Sequence, residues 1–117
     1  MRVELGCAGH FIASDSCRFR RHTQIDGAYR VSTVGDYYDH TGKRQTVGAA
    51  DDSFFETYVF RTTGAPADGN DGCGCVEVAD WCEIDGRRWA TAGEAQRGHE
   101  DFVEKYAALS ETEHAHA

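Results

Sequence analysis

No stretch of the chain approaches the roughly 18 consecutive apolar residues that a membrane-spanning helix needs. The opening Met1-Arg2-Val3-Glu4-Leu5-Gly6 has no apolar signal region either. A soluble cytoplasmic protein with no membrane partner is therefore expected. Proline is almost missing: Pro66 stands alone among 117 residues, while aromatic residues run from Phe11 to Tyr106, a profile that excludes a disordered tail. Excess positive charge is missing too. Twelve Lys/Arg face twenty Asp/Glu for a net charge of −8, and nucleic-acid binders draw much of their affinity from cations that neutralise phosphates. Direct nucleic-acid binding is thus not the first expectation. Finally, the five cysteines are an odd number and cannot all pair. In a reducing compartment thiols serve more often as metal ligands or small buried side chains than as disulfides.

A chain of this length buries one core, so a single domain over 1–109 is expected, with 110–117 fraying for want of an apolar pattern. Charge is divided along it. Residues 1–47 carry seven Lys/Arg against five acids, a net of +2, and residues 48–117 carry five against fifteen, a net of −10.

Cys17 to Ile25 and Ala28 to Tyr37 are β-prone runs around Asp26-Gly27, a strong hairpin signal. Asp39 to Lys43, with Gly42, reads as a second turn leading to a short run from Arg44 to Val47. Phe54 to Thr63 is dense in aromatic and β-branched residues, as in a central strand. Gly64 to Cys75 holds four glycines and the proline and reads as a loop. Val76 to Ile84 and Arg87 to Ala90 then form a second expected hairpin around Asp85-Gly86. Thr91 and Glu94 make a capping box, and Ala95, His99, Phe102, Val103 and Tyr106 follow as one helical stripe. The expected fold is α+β: an antiparallel sheet of about five strands with one C-terminal helix packed across it.

Zinc takes four tetrahedral ligands, often two from each of two chain segments. Cys7, His10 and Cys17 form one candidate half-site, and Cys73, Cys75 and Cys82 the other. Zinc is the one cofactor expected, as a staple between the N-terminal segment and the glycine loop. The alternative is that some of these thiols are buried apolar residues. No local Cys–His–Asp trio marks a catalytic nucleophile, and His99, on an apolar stripe, reads as a core histidine. Arg18, Arg20 and Arg21 flank Phe19 and could touch phosphates, although arginines on an edge hairpin more often serve as a solvated face. From Gly64 to Asp85 there is no Lys or Arg. Its Asp68, Asp71, Glu77, Asp80 and Glu83, with Glu100 of the helix, are the expected partner-binding carboxylates.

Gly9-His10-Phe11-Ile12, the run Arg30 to Tyr37, Glu56-Thr57-Tyr58-Val59-Phe60 and Thr91-Ala92-Gly93-Glu94-Ala95 with Gly98-His99 together resemble a pattern in small uncharacterised proteins encoded by bacteriophages and prophages. In those proteins the N-terminal knuckle has paired cysteines; here Cys7 is followed by His10. The resemblance implies residence in the cytoplasm of a bacterial host. It also implies a non-enzymatic accessory role: binding and inhibiting a host protein, such as a nucleic-acid-binding defence complex, in the manner of an anti-CRISPR protein. Two alternatives remain at this point, a small zinc-binding nucleic-acid-binding module and a metal- or Cys-dependent enzyme.

Overall fold

A computed structural model of the chain describes residues 2–5, 17–46, 53–66, 76–80 and 82–115. The Asp26-Gly27 pair does turn the chain, joining β2 (Cys17–Ile25) to β3 (Tyr29–Tyr38). The connection has three residues, Asp26 to Ala28, between Ile25 and its partner Tyr29, and the Ala28 N–H donates to the Ile25 carbonyl at 3.1 Å. Asp26, with φ of 49°, takes the left-handed conformation, one that the short polar side chain of Asp tolerates. The second turn is closed by Asp39. Its Oδ1 accepts from the Thr41 N–H, the Thr41 hydroxyl and the Lys43 N–H at 2.9, 2.6 and 3.0 Å, and Gly42 supplies a φ of 85°. The result is β4, shorter than expected at Arg44–Gln45 and paired with the end of β3.

The remaining strands are β1 (Arg2–Leu5), β5 (Phe55–Pro66), β6 (Val76–Val78) and β7 (Asp85–Trp89), followed by the helix α1 (Ala92–Ala115). Every pairing is antiparallel. The sheet runs β1-β2-β3-β5, with β6 and β7 following one another along the far edge of β5. This is the expected α+β arrangement of an antiparallel sheet and one C-terminal helix. No helix among the described residues is long and apolar enough to cross a membrane.

One expected hairpin is absent. Asp85 and Gly86 lie inside β7, opposite Val59 and Tyr58 of β5, and the chain deviates before them, between Ala79 (N–H to the Arg61 carbonyl, 2.9 Å) and Ile84 (N–H to the Val59 carbonyl, 2.9 Å). The glycine serves a close approach. A β-carbon on Gly86 would stand 2.7 Å from Cε1 of Tyr58 and 3.0 Å from the Thr57 carbonyl oxygen, so the Tyr58 ring takes the space that a side chain would fill. Asp85 clamps β7 to the helix, its Oδ2 accepting from Lys105 Nζ at 2.7 Å and from the Tyr106 hydroxyl at 2.8 Å.

Strand alternation sends odd-numbered side chains of β2, β3 and β5 toward α1. There Ile25, Tyr29, Val31 and Val59 meet Val103, Tyr106 and Ala107 in the apolar core. The predicted stripe is the buried face of the helix, with Ala95 and His99 fully buried. The helix also continues beyond Leu109 to Ala115. Ser110 is buried and donates to Asp26 Oδ2 at 2.7 Å, and the Tyr29 hydroxyl donates to Glu113, so the last turns are tied to the β2–β3 turn and do not fray at 109 as expected. At the other end the capping box forms: the Glu94 N–H donates to Thr91 Oγ1 at 3.2 Å, and the Thr91 hydroxyl meets Glu94 Oε1 at 3.1 Å. Thr91→Ala is expected to lower stability by about 1 kcal/mol, read as a fall of about 4 °C in Tm by circular dichroism.

Candidate functional site

The exposed surface of α1 is predominantly acidic. Glu94, Glu100, Asp101, Glu104, Glu111 and Glu113 are all exposed there, with Arg97 and Lys105 the cations among them. Four of these acids are engaged, Glu94 through one oxygen that accepts from the Thr91 hydroxyl at 3.1 Å. Glu100 pairs with Arg21, Glu104 with Arg2, and Glu113 accepts from Tyr29. Glu94, Asp101 and Glu111 point three carboxylates outward over 17 residues, a rigid span of about 25 Å at 1.5 Å per residue.

Among the described residues, the expected partner-binding carboxylates do not assemble into one patch. Asp68 and Asp71 lie outside the described residues, and Glu77 is described only as part of β6. Asp80 turns the chain between β6 and β7, its Oδ1 accepting from the Cys82 N–H at 2.9 Å. Glu83 borders an open cleft of about 450 Å³ with Tyr58, Ile84, Gly86, Arg87 and Arg88. Glu100 sits across the sheet, beside β1 and β2, where the Arg21 guanidinium also holds Glu4 at 2.9 Å.

The expected zinc ligands divide in the same way. Cys7, His10, Cys73 and Cys75 lie outside the described residues. Cys17 begins β2 opposite Tyr37, whereas Cys82 is on the far side of β5. With strands about 4.8 Å apart, the order β2-β3-β5-β7 keeps these two sulfurs from sharing one metal shell. No group of three or more His, Cys, Asp or Glu among the described residues is arranged to hold a metal ion. Burial raises the Cys17 thiol above its usual pKa, which favours its protonated form.

Arg18, Arg20 and Arg21 part company. Arg21 turns toward the helix and its acids, while Arg18 and Arg20 are exposed on the other face of β2. Arg18 lies over the Tyr38 ring, 3.9 Å from its centroid, and Arg44 over Phe54 at 4.0 Å. The β3–β4 end of the sheet therefore displays two guanidinium groups on aromatic platforms. These pairs join residues distant in sequence or on separate strands, so no local pattern announced them.

The helix-free face of the sheet is also rich in polar groups. Arg30 is 1% exposed, with its Nε donating to Gln24 Oε1 at 2.9 Å. Beside them His22 is 2% exposed, and burial, reinforced by the Arg30 charge, pushes its pKa down to about 4. Glu56 goes the other way: burial raises its carboxyl above the usual range against the pull of Arg88, 3.9 Å away.

No protein-family model, curated protein or solved structure matches the chain. Its own geometry is thus what supports a reading of function. His99, fully buried, has both ring nitrogens on threonine hydroxyls, Thr23 at 2.8 Å and Thr33 at 2.6 Å. It is the core histidine that the helical stripe predicted.

Proposed function

We propose that the protein is a non-enzymatic accessory protein of a bacteriophage or prophage that binds and inhibits a basic host protein, a nucleic-acid-binding defence complex of the kind that anti-CRISPR proteins block. The supporting observation is the acidic face of α1, where Glu94, Asp101 and Glu111 are fixed on a rigid element clamped to the sheet at Asp85, Ser110 and Glu113. Carboxylates at set spacing on a helix imitate the charge of a phosphate backbone and steer association with a positive channel. Asp80 and Glu83 extend the negative surface at the β7 edge. The partner surface thus centres on the helix, with Glu100 a structural ion pair in place of a contact residue.

The experiment is a pull-down from bacterial lysate, followed by affinity measurements on the purified partner at two salt concentrations. Reversing Glu94, Asp101 and Glu111 to lysine is expected to weaken binding by about tenfold or more at low salt, with the wild-type affinity falling as salt rises. Binding that ignores both changes overturns this reading.

A second reading is favoured by one observation, the Arg18–Tyr38 and Arg44–Phe54 stacks beside exposed Arg20. Guanidinium groups over aromatic rings are components of single-strand nucleic-acid sites. Absence of a gel shift at low ionic strength removes it.

A further inference from the structure

Six side chains form an unbroken hydrogen-bonded chain through the core, from one side of the sheet to the other. Trp89 Nε1 reaches Thr57 Oγ1 at 3.0 Å, Thr57 Oγ1 meets Thr33 Oγ1 at 2.7 Å, and Thr33 Oγ1 meets His99 Nδ1 at 2.6 Å. On the other side of the ring, His99 Nε2 meets Thr23 Oγ1 at 2.8 Å, and the Thr23 hydroxyl donates to Glu4 Oε2 at 2.6 Å. Thr33, Thr57 and His99 are 0% exposed and Thr23 is 4% exposed.

The two ends fix the direction of every bond between them. An indole N–H only donates, an ionised carboxylate only accepts, and each hydroxyl has a single proton to give. Thr23 spends its proton on Glu4, so it must accept from His99, and Nε2 therefore carries the ring proton. Nδ1 is then the acceptor for the Thr33 proton, Thr33 accepts from Thr57, and Thr57 accepts from Trp89. Each hydroxyl gives once and receives once.

We infer that this one-way chain holds His99 as the neutral Nε2–H tautomer and makes it an acid-sensitive latch, whose protonation at Nδ1 releases α1 from the sheet. A proton on Nδ1 would face the Thr33 proton. Turning the Thr33 hydroxyl toward Thr57 would make Thr57 accept twice and leave its own proton buried with no acceptor in the chain, the costly case for a buried donor. The imidazolium also has no water at 0% exposure. Lifting the helix restores both solvent and hydrogen-bond partners, and because His99 is itself on α1, that is the element displaced.

The charged groups around the ring do not offset this. Arg21 of β2 opposes the imidazolium, while Glu4 of β1 and Glu100 of α1 favour it. Both carboxylates are already held by Arg21. Thr33, Thr57 and Trp89 of β3, β5 and β7 bring no charge. His22 is on the helix-free face. Burial dominates, and the His99 pKa falls to about 4.

The test is nuclear magnetic resonance on the intact wild-type protein. Imidazole ¹⁵N spectra at neutral pH are expected to show a protonated Nε2 and an unprotonated Nδ1 on His99. Between pH 6.5 and 4, the opening constant of α1 amides, corrected for intrinsic exchange, should rise about tenfold per pH unit for one linked proton, ahead of the amides that pair β3 with β5. His22→Asn should keep this slope for α1, and His99→Gln should flatten it. An Nδ1–H tautomer, a His99 titration near 6.5 without loss of α1 protection, or a slope that vanishes with His22→Asn would each overturn the inference. The wild-type spectra decide the matter even if His99→Gln does not fold.

Discussion

Lowering the pH from 6.5 to 4 is expected to remove about 6 kcal/mol of folding stability, with His22 and His99 responsible for about 3 kcal/mol each at 1.36 kcal/mol per pKa unit. Both imidazoles are buried, and desolvation holds each near a pKa of about 4 in the folded chain. In the unfolded chain they titrate near 6.5. Within that window the unfolded state binds more protons, so stability is present in full above 6.5 and is lost as pH falls toward 4. Glu4, whose carboxyl is lowered by its bonds to Arg21 and Thr23 against burial, adds to the loss at the acid end. Glu56, raised by burial, works in the opposite direction and recovers a small part. A small domain holds about 5–15 kcal/mol in total, so acid unfolding should set in well above the usual carboxylate range. Urea denaturation at fixed pH values measures this. A flat profile between pH 6.5 and 4.5 would mean that neither histidine is buried as a neutral ring.

Gly98→Ala should destabilise the protein, although the same change in an exposed helix stabilises it by about 1 kcal/mol through reduced backbone entropy. A β-carbon on Gly98 would lie 2.6 Å from Cε2 of Trp89 and closer still to the outer carbons of the indole. The ring must move, and with it the Trp89 Nε1 bond to Thr57 that closes the core chain. Overpacking costs about 1–3 kcal/mol, and stranding the Thr57 end of the chain adds about 1–3 kcal/mol. The packing effect wins, for a net loss of about 1–5 kcal/mol in chemical denaturation. Gly93→Ala is the control on the same helix: its β-carbon would meet only Arg97 Nη1, at 3.8 Å. A Gly98→Ala variant as stable as wild type would show that the Trp89 ring does not seat on the helix.

The resemblance to phage proteins and the acidic-surface function were readable only as expectations. The elements themselves were more legible. The β2–β3 hairpin, central β5, the capping box and the buried stripe of α1 all follow local rules of turn chemistry and periodicity. Asp85-Gly86 misled because the same dipeptide that favours a turn also suits a strand where a neighbouring ring needs room, and only the position of Tyr58 distinguishes the two. The extent of α1 past Leu109 was equally invisible. Ser110 and Glu113 form no apolar pattern, yet each is tied to a residue 84 positions earlier.

Of the five cysteines that suggested a staple, the register of the sheet separates Cys17 from Cys82, and Cys7, Cys73 and Cys75 lie outside the described residues; within the described core, hydroxyls, an imidazole and an indole join sheet to helix. By itself, the sequence determined the α+β class, the start and buried face of the helix, and the split between a mildly basic first part and an acidic second part. These depend on propensity, periodicity and composition, which act over a few residues or over the whole chain. The tertiary structure decided which acids are already paired, which arginines stack on rings, and that Glu4, Thr23, Thr33, Thr57, Trp89 and His99 form one directed chain. Those depend on contacts made across strands and between sheet and helix, where sequence distance carries no information about distance in space.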